Sequence, residues 1–127
     1  MVILDANAIL RYVLNDNKDQ AEKAANAIES GSVTTVEILA EVVYVLSDVY
    51  NMPREEVSWL LHCILLDVQV DNLKALRYAA GVFNQTKLDF VDCLLVAYNK
   101  VYGMEVFSFD KKLNTTMRKE LEIYQSE

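Results

Sequence analysis

The stretch VILDANAIL, residues 2–10, passes from a strand pattern to a helix pattern at a single acid. Residues 2–4 are all apolar, as in a short strand that is covered on both faces. From Ala6 to Leu14 the apolar residues recur at helical spacing, which predicts a helix. Asp5 therefore marks the point where a strand ends and a helix begins.

The rest of the chain repeats this alternation of short strands and longer helices. Helices are predicted at 6–14, 18–29, 35–50, 54–66, 71–84 and 89–102 and directly after Asp110, with strands at 2–4, 32–34, 68–70, 105–109 and 121–124. Short strands separated by helices require crossover connections, which favour a parallel sheet. The sequence thus predicts an α/β fold, a single three-layer α/β/α domain over residues 1–127 with a short-stranded, mostly parallel central sheet.

Composition narrows the class of protein. Hydrophobic residues make up 53% of the 127 residues, with only three glycines and one proline, which argues against disorder and against a turn-rich all-β fold. No apolar run approaches the roughly 18 residues of a membrane span, and the start has no cationic leader pattern, so we expect a soluble cytoplasmic protein. Cys63 and Cys93 are too few for a Cys-rich zinc site, and we expect both to be buried thiols.

The acidic balance limits how the chain could meet nucleic acid. With 12 basic and 19 acidic residues the formal net charge is −7, which argues against binding by bulk electrostatics. An excess of carboxylates does permit a cation site. The placement of individual acids therefore carries more information than the total charge.

Two acids, Asp5 and Asp110, each follow a predicted strand directly. In an open α/β sheet ligands bind at the carboxyl ends of the strands, so we expect both acids on one rim. The alternative for either residue is a structural N-cap of the helix that follows it.

Further acids lie within predicted helices. Glu41 falls at the edge of the apolar face of its helix, whereas Glu37 has a structural role as the third residue of a capping box that Thr34 begins. We therefore prefer Glu41 as the functional acid over a boundary glutamate that reaches water. Asp92 lies in a helix that is apolar nearly all round, where a charge must be paired or bound to a metal. Its alternative role is a first-turn acid favoured by the helix dipole, with Asp89 as the N-cap.

These candidate ligands are all hard oxygen donors without a supporting His or Cys set. Such donors suit Mg²⁺ or Mn²⁺ rather than zinc. Ions of this kind activate water and screen charge in phosphodiester displacement, which is the usual chemistry of carboxylate-only nuclease sites.

Four stretches resemble, in order, the successive acidic motifs of PIN domains: VILDAN and ILR (2–7 and 9–11), LAEVVYVL (39–46), LDFVDCLL (88–95) and FSFDKK (107–112). The resemblance spans nearly the whole chain and is closest to VapC-type toxins of toxin–antitoxin pairs. It implies an endoribonuclease that depends on one or two Mg²⁺ or Mn²⁺ ions, cleaves RNA, forms a homodimer and is held inactive by an antitoxin protein.

The resemblance assigns roles residue by residue. Its metal-binding and catalytic acids fall on Asp5, Glu41, Asp92 and Asp110. Asp89 is an optional further ligand, and Asn7 and Ser108 are supporting residues. Many relatives carry another acid where this chain has Lys112, so we expect the resting site to bind one ion tightly.

Basic residues gather near the first and last of these motifs. The candidates for binding RNA phosphates are Arg11, Lys111, Lys112, Arg118 and Lys119. The alternative is an ordinary cationic helix on the surface of an acidic protein. A separate apolar helix around residues 59–65 covers more than one face, which suits a symmetric dimer as well as burial within a monomer.

Two other functions fit parts of the sequence. Asp5, after the first strand, also matches the nucleophile position of haloacid-dehalogenase-like phosphatases, but those proteins usually carry a second Asp where this chain has Asn7. The other alternative is a catalytically degenerate PIN-like or unrelated α/β module that only binds a partner.

Overall fold

The computed structural model describes residues 1–123. They fall into two compact units, the first from Met1 to Asp71 and the second from Asn72 onward. Each unit has its own helices and its own buried residues.

The first unit holds a small parallel sheet and four α-helices. Its elements are β1 (Val2–Ile3), α1 (Ala6–Leu14), α2 (Lys18–Glu29), β2 (Ser32–Val33), α3 (Val36–Tyr44) and α4 (Arg54–Asp67). β1 and β2 pair in parallel, with Val2 opposite Ser32 and Ile3 opposite Val33. Gln69 forms one isolated parallel bridge with Val33. The third strand, predicted at 68–70, is reduced to this bridge.

Side-chain caps decide where three helices of this unit begin. The caps are Asp5, which accepts from the Ala8 N–H at 2.8 Å, Asn17 from Gln20 at 3.1 Å, and Thr35 from Ile38 at 3.2 Å. Each satisfies an N–H group that a helix leaves free at its start. The predicted capping box is wrong, because the cap is Thr35 and the Thr34 hydroxyl donates to the Leu4 carbonyl at 3.1 Å. Glu37 is therefore the second helical residue and not the third.

The single helix predicted to end at residue 50 consists of two segments. α3 ends at Tyr44, and Val45–Val49 continue it as a π-helical turn. The Tyr50 N–H closes that turn by donating to the Val45 carbonyl at 3.1 Å. Because this bond spans five residues instead of four, the side chains beyond it point differently from those of a continuous α-helix.

The core of the first unit is aliphatic. Ile9 on α1, Leu39 and Val42 on α3, and Val57 on α4 are fully buried. Burying a side chain of this size stabilises a fold by about 1.5–3 kcal/mol relative to leaving it in water. Cys63 on α4 is only half-buried, contrary to expectation, and is a free thiol.

The second unit is built on a pair of helices. Its elements are α5 (Leu73–Gln85), α6 (Phe90–Tyr102) and α7 (Lys111–Arg118). At one end of the pair Phe83 and Phe90 meet edge to face, with ring centroids 6.0 Å apart. Cys93 is buried, as predicted. Gly103 ends α6 in the left-handed conformation with φ of 67°, also as predicted.

The segment after α7 lies against α5. The Gln85 side chain donates to the Glu122 carbonyl at 2.8 Å. At Gly81 a β-carbon would lie 2.7 Å from Cγ2 of Ile123, so a larger residue at position 81 would force Ile123 to shift.

Two predicted strands are wrong. Residues 105–109 form no strand within the described chain, although their apolar residues alternate. Within this segment the Ser108 carbonyl accepts from the Asn114 side chain and not from a neighbouring strand. Residues 121–123 are not a strand either, and Tyr124, where that prediction ends, lies outside the described residues.

The predicted fold class is confirmed. Between residues 1 and 123 the chain has seven α-helices and a parallel two-stranded sheet, which is consistent with the α/β/α class. Over the same residues, none of the helices has the length and apolar character that crossing a membrane requires.

Candidate active site

Asp5 lies between the end of β1 and the start of α1. Two hydrogen bonds hold this strand end, since the Leu4 N–H donates to the Val33 carbonyl at 2.8 Å and the Leu4 carbonyl accepts from the buried Thr34 hydroxyl. Asp5 itself is exposed, and its Oδ1 caps α1 through the Ala8 N–H. Because the cap engages Oδ1, Oδ2 can still bind a cation. The capping role and the predicted metal-binding role are therefore compatible.

Asn7 and Arg11 follow Asp5 on α1. Asn7 is exposed in the first turn. Arg11 forms an ion pair with Asp16, with its Nη1 2.8 and 3.0 Å from the two carboxylate oxygens. A hydrogen bond with Tyr50 and the charge of Asp16 raise the pKa of the Arg11 guanidinium. Sequence reasoning missed both partners of Arg11, because no motif or periodicity links them to it.

Glu37 and Glu41 lie one turn apart on α3, and both are exposed. Val42 and Val43, which follow Glu41, are buried. Glu41 therefore lies on the solvent side of the border of the apolar face, where its carboxylate is accessible to a ligand.

The second unit has three acids at the starts of α6 and α7. Asp89 precedes α6, Asp92 is in the first turn of α6, and Asp110 precedes α7. Burial raises the pKa of Asp92, and the negative charges of Asp110 and Asp89 raise it further. Burial and its two acidic neighbours therefore both disfavour the ionised form of Asp92.

Asp110 is held from two sides. Its Oδ1 accepts from the Leu113 N–H at 2.9 Å and so caps α7, while its own N–H donates to the Ser108 hydroxyl at 3.0 Å. The Asn114 side chain donates to the Ser108 carbonyl at 2.8 Å. Asp110 thus caps a helix in the same way as Asp5. Asn114 was not predicted as a site residue. The only feature of the sequence that could have indicated it is its position one helical turn after Asp110.

The predicted phosphate-binding residues of the last motif are exposed on or beside α7. They are Lys111, Lys112, Arg118 and Lys119. Lys100 in the last turn of α6 was missed, and its ammonium donates to the Lys119 carbonyl at 2.7 Å. Both the start and the end of α7 therefore carry positive charge.

The donor chemistry of the acids fits Mg²⁺ or Mn²⁺, which take carboxylate oxygens. The raised pKa of Asp92 identifies a place where added positive charge would stabilise the ionised form. Asp5 and Glu41 belong to the first unit, and Asp89, Asp92 and Asp110 to the second. Among residues 1–123, no three His, Cys, Asp or Glu side chains already form a group that could hold a metal ion.

The first unit has a small parallel sheet with a helix after each strand, and each unit has acids at the starts of helices, which is typical of the α/β class. The PIN domain family model matches residues 2–119, and the chain belongs to that family. PIN domains are generally nucleases that use divalent metal ions, so membership implies nuclease activity and a nucleic-acid substrate. This favours a nuclease over the phosphatase alternative. No curated protein and no solved structure matches the chain significantly.

Proposed function

We propose that this protein is a cytoplasmic Mg²⁺- or Mn²⁺-dependent endoribonuclease of the VapC type, the toxin of a type II toxin–antitoxin pair. Membership of the PIN domain family supports the nuclease class. The four acidic motifs, which resemble those of VapC-type toxins in their order, support the finer assignment.

The observation that carries the proposal is the environment of Asp92. Asp92 is half-buried, and burial together with the charges of Asp110 and Asp89 raises its pKa. Such crowding has a use in an enzyme that binds a divalent cation, because the cation offsets the repulsion.

The proposed metal-binding and catalytic acids are Asp5, Glu41, Asp92 and Asp110, with Asp89 as an optional further ligand. A bound Mg²⁺ or Mn²⁺ supplies activation of water and screening of the charge that develops on the phosphate. Capping through Oδ1 orients the Asp5 and Asp110 carboxylates in advance. Ser108 holds the Asp110 backbone, and Asn7 is proposed to support Asp5.

RNA phosphates are the proposed ligands of the basic residues after Asp110. Lys111, Lys112, Arg118 and Lys119 are exposed and can offset phosphate charge. Arg11 has a weaker case, because its ion pair with Asp16 already offsets its charge.

Two protein partners belong to the proposal. On α4, Trp59 is 64% exposed and Leu66 is 78% exposed, while Val57, Leu61 and Ile64 of the same helix are buried. Apolar side chains that remain in water suit a symmetric homodimer. An antitoxin protein is the second proposed partner, and the resemblance to VapC-type toxins supports it.

The test compares two exposed glutamates of α3 that differ in assigned role. The purified protein is incubated with RNA and Mg²⁺, Mn²⁺ or EDTA. Glu41→Gln should lower the cleavage rate at least about 100-fold, because even the residues that hold a metal ligand in place contribute roughly 10- to 100-fold. Glu37→Gln should keep the wild-type rate.

Cleavage that survives EDTA, or equal rates for the two variants, would contradict the metal-site assignment. An intact protein that neither cleaves RNA nor binds Mn²⁺ would favour the non-catalytic binding module. Light scattering tests the dimer separately, since Trp59→Glu should convert a dimer to monomers. A wild-type protein that is monomeric at micromolar concentration would contradict the proposed dimer.

A further inference from the structure

The two most exposed large apolar side chains among residues 1–123 lie next to each other in the last acidic motif. Phe107 is 88% exposed and Phe109 is 89% exposed. Their rings meet edge to face, with centroids 5.3 Å apart and planes at 85°. At these exposures both rings offer an open aromatic surface to a ligand.

The backbone between the two rings is held in place. The Ser108 hydroxyl accepts from the Asp110 N–H, and the Ser108 carbonyl accepts from the Asn114 side chain. Both bonds tie the segment Phe107–Phe109 to the start of α7. Rings that are presented from a hydrogen-bonded turn lose less conformational freedom on binding than rings on a free loop.

Cations follow the aromatic pair directly. Lys111 and Lys112 are the first two residues of α7, and both are exposed. In a protein with a net charge of −7, this places positive charge beside an open aromatic surface. Aromatic rings for bases, together with cations for phosphates, are the combination that binds single-stranded nucleic acid.

We infer that Phe107 and Phe109 stack on unpaired bases of the substrate RNA while Lys111 and Lys112 contact the neighbouring phosphates. The inference rests on the proposed ribonuclease function and assigns the side chains that contact the bases of its substrate. In a duplex the base faces are covered by neighbouring bases, so the rings could not stack on them. An apolar protein partner would account for the rings but not for the adjoining lysines.

Binding is measured in EDTA, so that metal-dependent cleavage does not interfere. The probes are a fluorescein-labelled oligouridine and an RNA duplex of the same length, each titrated with the full chain. Phe107→Leu/Phe109→Leu should weaken oligouridine binding about tenfold or more, because base stacking is lost, and should leave duplex binding unchanged. Phe107→Tyr/Phe109→Tyr keeps both rings and should bind oligouridine within about twofold of wild type.

Tryptophan fluorescence measures stacking directly. The variant is Phe109→Trp in a Trp59→Phe background, so that the indole at position 109 is the only tryptophan in the chain. Its fluorescence should be quenched when oligouridine is added. Absence of quenching, or equal oligouridine affinities of the leucine variant and wild type, would overturn the inference. A dimer that dissociates in the leucine variant with unchanged RNA affinity would overturn it too, and would make the rings a contact between copies.

Failure of this inference can be told apart from failure of the proposed function. A protein that cleaves RNA with Mn²⁺ but binds oligouridine equally well in its wild-type and leucine forms keeps the ribonuclease proposal and loses the stacking surface. A protein that cleaves no RNA, yet loses oligouridine binding in the leucine variant, keeps the stacking surface and loses the ribonuclease proposal.

Discussion

Replacing Asp5 with asparagine separates its capping role from its proposed metal-binding role. Asparagine caps a helix about as well as aspartate, so the hydrogen bond from the Ala8 N–H, 2.8 Å long in the wild type, should persist. Losing a negative charge at a helix N-terminus costs a few tenths of a kcal/mol, so the free energy of unfolding should stay within about 0.5 kcal/mol of wild type. RNA cleavage should fall by orders of magnitude, because the carboxylate is gone.

Asp5→Ala removes both roles and measures the cap. Loss of an N-cap costs about 1 kcal/mol, which for a chain of this length lowers Tm by about 4 °C. The matched control is Asn17→Ala, since Asn17 caps α2 through the same kind of bond to the Gln20 N–H at 3.1 Å. This control should lose a similar amount of stability and keep full activity.

Urea unfolding and melting curves give the stabilities, and cleavage of a labelled RNA in Mn²⁺ gives the rates. Full activity of Asp5→Asn would refute the assignment of Asp5 as a ligand. A Tm of Asp5→Asn as low as that of Asp5→Ala would refute the capping argument. Inactivity of Asn17→Ala would show that lost activity follows from lost stability and not from the missing carboxylate.

Three further predictions concern stability. Because burial and neighbouring acids raise the pKa of Asp92 in the folded protein, the stability that this group contributes falls as pH rises from its unfolded pKa of about 3.9 through its folded pKa. Asp92→Asn should therefore raise the free energy of unfolding in urea at pH 7, with the gain vanishing below about pH 4. Gly81→Ala should destabilise the protein by about 1 kcal/mol, because overpacking against Ile123 costs more than the gain in helix propensity. Adding Ile123→Ala to this variant should restore part of the lost stability, as measured by melting curves. Thr34→Val should cost about 1–3 kcal/mol in urea unfolding, because the buried Leu4 carbonyl loses its donor; an unchanged midpoint would contradict this.

The helices could be predicted because their signals are local. Ala6–Leu14 and Lys18–Glu29 begin and end at the predicted residues. Apolar spacing of three and four residues and capping side chains act within a few positions of the chain, and both can be read without knowing the fold. The π-helical turn at Val45–Val49 has no such signal, and the prediction of one continuous helix missed it.

The strands could be predicted only in part, because a strand requires a partner from elsewhere in the chain. Residues 2–4 and 105–109 have equally plausible strand patterns. The first segment pairs with β2, whereas the second pairs with no strand among residues 1–123. An apolar or alternating pattern shows that a segment is able to join a sheet, but contacts with other parts of the chain decide whether it does.

For the candidate site, the sequence by itself determined the acidic motifs, their order and the family to which the chain belongs. Residue type and position along the chain are sufficient for those conclusions. Only the tertiary structure decided that Asp5 and Asp110 also cap helices, that Asp92 is crowded by two other acids, and that Arg11 pairs with Asp16. The physical reason is that burial, Coulomb repulsion and hydrogen bonds depend on distances in space, and distance along the chain does not specify them.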